Sequence, residues 1–151
     1  MILKGDEQEI ELIIEGYEYI EPKSDDFWDK NWLMLYCRKT FGSHTICGRF
    51  PCFLTTELIR LHEMLQQFLC GEICYVEWGG TEPNLSISLH REKNTCMLEI
   101  FFYPENGTES FDEVKVFRKN AVKEDIVQLI NFCEENISKY PVRKTETNLY
   151  K

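Results

Sequence analysis

No apolar run in the sequence approaches the roughly 20 residues that a membrane-spanning helix needs. A secretory leader is missing too: residues 1–7 carry one basic residue and two acids, and no apolar stretch follows them. The expected location is therefore the cytoplasm. Also lacking are cysteine pairs at the spacing that binds zinc or runs redox chemistry. The seven cysteines (Cys37, Cys47, Cys52, Cys70, Cys74, Cys96 and Cys133) include no C-x-x-C, and an odd number cannot all pair within the chain. Free thiols in a reducing compartment are the expectation, with their small apolar bulk placed in or near the core.

Catalytic signatures are equally scarce. There is no G-x-S-x-G, no phosphate-binding loop and no dinucleotide fingerprint. The three histidines, His44, His62 and His90, stand outside any metal or nucleophile motif and read as surface residues, His62 on the exposed side of a helix. Asp25, Asp26 and Asp29 cluster, and Glu77 and Glu82 flank a glycine turn. Paired carboxylates can do acid–base work or hold a hard cation. Here no histidine or EF-hand spacing supports either use, so solvated acids are the preferred reading. Neither an enzyme nor a cofactor or metal is expected.

What the chain has in excess is negative charge. Its 26 acids against 17 lysines and arginines give a net charge of −9 over 151 residues. The imbalance is concentrated: residues 1–30 hold ten acids and three lysines, a net of −7. Such a field repels nucleic acid and anionic lipid and attracts basic surfaces. Aromatics stand among these acids. Phe27 and Trp28 lie inside the Asp25–Asp29 cluster, Tyr17 and Tyr19 bracket Glu18, and Trp78 follows Glu77. A large aromatic can anchor an interface while neighbouring acids steer a basic partner. The candidate partner-binding residues are accordingly Asp25, Asp26, Trp28, Asp29, Glu77, Trp78 and Glu82.

Periodicity supplies the fold class. Ile10, Leu12 and Ile14 alternate with Glu9, Glu11 and Glu15, the pattern of a half-buried antiparallel strand. A short strand precedes it, and residues 20–31 read as a loop from their turn residues. Strands are expected over 32–41 and 44–53 around the Gly42–Ser43 turn. Leu54, Leu58, Leu61, Leu65, Phe68 and Leu69 then recur at helical spacing, with Thr55 or Thr56 as cap and Gly71 as stop. Strands follow over 73–78, 84–92, 96–103 and 113–118, with a loop over 104–112. A helix over 120–140 is ended by Pro141. The prediction is an α+β domain over 1–141: an antiparallel meander sheet of about six to eight strands with two main helices packed on it. A polar tail over 142–151 completes it.

Four short motifs, in order, resemble the WapI-type family of bacterial immunity proteins: Y-E-Y at 17–19, D-x-x-D-x-N-W-L at 26–33, P-C-F-L-T-T-E-L at 51–58 and E-P-N-L-S at 82–86. Beyond Ser86 only the architecture matches, and residues 42–49 and the cysteines are particular to this chain. The resemblance implies a small antitoxin that binds and neutralises the C-terminal domain of a cognate toxin, a basic protein and commonly a nuclease. It brings no catalytic residues, implies fold-holding roles for the shared motifs, and fits a monomer or weak homodimer. The alternatives left open are another non-catalytic binding or scaffold module, and, less favoured, a carboxylate-based enzyme or small-ligand binder.

Overall fold

In the computed structural model, residues 1–21, 26–103 and 116–144 are described. The loop expected over 104–112, the start of the strand at 113 and the end of the tail at 145–151 lie outside them. The chain forms β1 (Ile2–Gly5), β2 (Gln8–Tyr17), α1 (Phe27–Asn31), β3 (Trp32–Phe41), β4 (His44–Leu54), α2 (Thr55–Cys70), β5 (Tyr75–Gly79), β6 (Leu85–Glu92), β7 (Thr95–Phe102), β8 (Val116–Asn120) and α3 (Lys123–Lys139). The class is α+β, and the meander is divided into two four-stranded antiparallel sheets, β1-β2-β3-β4 and β5-β6-β7-β8.

Alternation dictates which face of each strand is dry. Ile10, Leu12 and Ile14 on β2 face inward with Leu33, Leu35 and Cys37 on β3, while Leu85, Ile87 and Leu89 on β6 match Leu98, Ile100 and Phe102 on β7. The two inner faces and both long helices share one core. Phe50 stacks on Phe102 with ring centres 5.8 Å apart, and Phe53 meets Trp78 edge-on at 5.4 Å. Such aromatic pairs add about 1 kcal/mol beyond their area.

Helix α2 buries Leu58, Leu61, Leu65 and Phe68. Each fully buried side chain of this size contributes roughly 1.5–3 kcal/mol. Its N-cap is Leu54 rather than a threonine, and Glu57 supplies the missing acceptor, taking the Leu54 N–H at 2.8 Å. At the other end Gly71 adopts φ of 83°. Its N–H donates to Phe68 O, and the Glu72 N–H reaches back to Gln67 O, which closes a Schellman turn. Arg91 from β6 also donates to Phe68 O and lies over the Phe68 ring.

Several expectations are corrected. The supposed loop over 20–31 contains α1, because Asp26 caps Trp28 and the segment is too short for its period to show. Helix α3 starts at Lys123, where Asp125 accepts from the Val122 N–H at 2.9 Å and from Lys119 Nζ at 2.7 Å. His62 is mostly covered by α3, with Nε2 3.0 Å from Glu134.

Candidate partner-binding surface

The acidic, aromatic segment is built on a clasp between distant parts of the chain. Asn31 is fully buried at the end of α1. Its Nδ2 donates to Phe27 O at 2.8 Å and to Arg143 O at 3.0 Å, and its Oδ1 accepts from the Arg143 N–H at 2.7 Å. The Arg143 guanidinium lies 3.5 Å over the Tyr17 ring and donates to Tyr19 O at 2.8 Å. Tyr17 donates its hydroxyl to Pro141 O and meets Tyr140 edge-on. Residues 141–144, the first part of the expected tail together with Pro141, are thus held against β2 and α1.

This clasp presents an apolar group to solvent. Ile20 is 85% exposed and Trp28 50% exposed, with Tyr19 also exposed. Asp26 and Asp29 flank Trp28 on α1, and Asp26 is fixed by its hydrogen bond from the Trp28 N–H at 2.7 Å. The Glu18 carboxylate, with burial and Asp29 adding to it, pushes the Tyr19 phenol above its usual range, so the ring sits in a negative field. Exposed apolar side chains stand here beside acids, with Lys30 and Arg143 among them, a combination found at protein-binding surfaces.

Of the sequence candidates, Asp26, Trp28 and Asp29 are brought together here. Asp25 lies outside the described residues. Glu77 is exposed on the outer face of β5, and Glu82 is half-buried in the turn before β6, so both belong to the second sheet. Trp78 points the other way. It is 4% exposed, packs on Phe53, and donates Nε1–H to Glu57 O at 2.9 Å. Its ring offers little surface to a partner, and the signal was present: Val76 and Trp78 are two apart on one strand and share a face. Ile20 was missed as a surface residue, and Tyr19, noted beside Glu18, stands with it. The available signal was an isoleucine between Tyr19 and Glu21 with no strand alternation to bury it.

The sequence motifs hold the fold at three nodes. Glu57 accepts from the Leu54 N–H and from the Thr81 hydroxyl, joining α2 to the turn after β5. Asn84 donates Nδ2–H to Tyr103 O at 2.9 Å and accepts the Tyr103 N–H at its carbonyl, fixing the end of the β6–β7 ladder. Asn31 makes the clasp described above.

Among the described residues no group of three or more His, Cys, Asp or Glu side chains is placed to hold a metal ion. No described helix is long and apolar enough to cross a membrane. All seven cysteines are free, and burial pushes the Cys37, Cys52 and Cys133 thiols well above their usual range, away from nucleophilic use. No curated protein matches the chain. Residues 1–141 match the family model described as the immunity protein WapI-like family.

Proposed function

The chain belongs to the immunity protein WapI-like family, and from that premise we propose that it neutralises the C-terminal domain of a cognate bacterial toxin by binding it, without catalysing a reaction. The family membership is the observation that carries this reading. The charge supports its finer part: a nuclease domain must hold phosphates and is therefore basic, and a chain of net charge −9 is drawn to it. The docking residues proposed are Asp26, Trp28 and Asp29 with Tyr19 and Ile20 beside them, where acids steer and the exposed rings and isoleucine anchor. Asp25, next to Asp26 in the sequence, and Glu77 and Glu82, at the second sheet, are proposed as further acidic contacts. Electrostatic steering of this kind raises association from about 10⁵–10⁶ to as much as ~10⁸–10⁹ M⁻¹s⁻¹. Speed matters for an inhibitor that must reach the toxin before the toxin reaches its substrate.

Co-expression with the toxin domain encoded by the adjacent reading frame tests the proposal. Growth should be restored by the chain, and the two proteins should co-purify. Persistent killing in the presence of soluble, folded chain would overturn it.

A further inference from the structure

Away from α1, helices α2 and α3 pack against each other and leave an open groove of about 630 Å³ between them. Its apolar floor is formed by Leu69, Val127 and Ile130, Cys70 lies at its side, and Glu63 and Glu72 stand on its rim. None of the residues lining it is a lysine, arginine or histidine. Among the described residues, neither rim carboxylate makes an ion pair.

The groove is held open by the fold on each side. The Schellman turn at Gly71 fixes the backbone of Glu72. Arg91 ties the last turn of α2 to β6. The Lys119–Asp125 pair, nine-tenths covered on its acid side, ties the first turn of α3 to β8. His62 and Glu134 bridge the two helices farther along. A pocket whose walls are set before binding loses little entropy when filled.

We propose that this groove is a second docking point for the toxin domain, receiving an apolar side chain flanked by lysine or arginine. This rests on the immunity reading above. Charge complementarity selects the occupant: an apolar floor takes an apolar anchor, and two rim carboxylates that make no ion pair among the described residues take basic neighbours. A volume of this size admits an anchor of one or two large side chains. The chain thereby grips its partner at two separate places, α1 and the α2–α3 groove, and the two act together as a bivalent contact whose combined affinity exceeds either alone.

Cys70 gives a direct test, because it is exposed on the groove wall. In a chain carrying Cys47→Ser, Cys74→Ser and Cys96→Ser, the thiols that remain besides Cys70 are buried, and Cys70 is coupled to a bulky maleimide. Binding is then measured against a catalytically inactivated form of the toxin domain that the wild-type chain neutralises. The adduct should bind about a hundredfold more weakly, the scale of a lost anchor, while its urea midpoint stays that of the unmodified chain. A Glu63→Lys/Glu72→Lys variant should lose about tenfold in association rate. Unchanged binding by both the adduct and the charge variant, with rescue by the wild-type chain intact, overturns the groove and leaves the immunity reading standing. Absence of rescue by the wild-type chain overturns both.

Discussion

Gln8 and Arg118, 110 positions apart, exchange two hydrogen bonds: Gln8 Nε2 donates to Arg118 O at 2.8 Å, and the Arg118 N–H donates to Gln8 Oε1 at 3.2 Å. A side-chain amide thus imitates a peptide unit and caps the open edge of β8. The first strands of one sheet are thereby joined to the last strand of the other, across an edge that would otherwise invite pairing with another chain. Replacing Gln8 with Leu should lower stability by about 1 kcal/mol, since water takes over part of the lost bonding. Urea unfolding measures this, and light scattering during unfolding should show more aggregation than wild type.

Asn31→Asp should cost about 3 kcal/mol. The carboxylate would face Phe27 O and Arg143 O where the amide now donates. Burial against two carbonyls raises the introduced carboxyl above its usual range, and protonation restores a donor, so the deficit should shrink as pH falls towards about 4 and stay constant below it. A deficit independent of pH would contradict the hydrogen-bond account. Amide exchange at 141–144 should quicken in the variant at neutral pH.

Gly80 and Gly79 form an internal control. A Cβ at Gly80 would lie 2.7 Å from Cys52 O and 3.0 Å from Phe53 Cβ, whereas at Gly79 the nearest atom is 3.9 Å away. Gly80→Ala should therefore destabilise by about 1–3 kcal/mol, and Gly79→Ala by much less. Equal melting temperatures for the two variants would refute the close approach.

Alkaline pH should weaken the fold. Burial holds the Cys37 and Cys52 thiols well above their usual range and pushes Cys133 to about 12. The unfolded chain releases those protons near pH ~8.5, so above that pH the folded state binds more protons and stability falls. Lys39 works in the opposite sense, because burial lowers its ammonium to about 8. From there to about 10.4 the unfolded chain keeps a proton that the folded chain has lost, which raises stability. Three thiols against one amine leave a net fall in stability as pH rises around pH ~9–10. Urea midpoints under reducing conditions measure it. Lys39→Met should steepen the fall, and Cys133→Ala should make it shallower.

Steering can be separated from anchoring at α1. Asp26→Asn with Asp29→Asn keeps the helix cap, since asparagine caps as well as aspartate, and removes two charges. Stopped-flow association with the toxin domain should slow several-fold at low salt and match wild type at high salt. An association rate that does not change at low salt would remove these two acids from the encounter surface.

Much of this fold was legible because alternation is a local signal. The bounds of β3 and the face carrying Leu85, Ile87 and Leu89 follow directly from period two, and the Leu58–Phe68 stripe from period 3.6. Lys39 continues the inward series Leu33, Leu35 and Cys37 and is buried with them, against the ordinary preference of lysine for the surface. The split into two sheets was not legible, because it depends on which edges meet, as at Gln8 and Arg118. Nor was α1, whose five residues owe their helix to the Asp26 cap and to Asn31. The surface at Ile20 and Trp28 was half legible. Its acids and rings stand in the sequence, but Arg143, which positions it, lies more than a hundred residues away.

That distance bears on biosynthesis. Each sheet is an unbroken stretch of chain, residues 2–54 and 75–120, so hairpins can form as they leave the ribosome. The backbone of Tyr19 and Ile20 finds its donor only when Arg143 has been made. A chain truncated before that residue would own the strands of both sheets yet lack the clasp that holds Tyr19 and Ile20. The docking face proposed at α1 is thus a late acquisition, completed by a residue 124 positions after Tyr19.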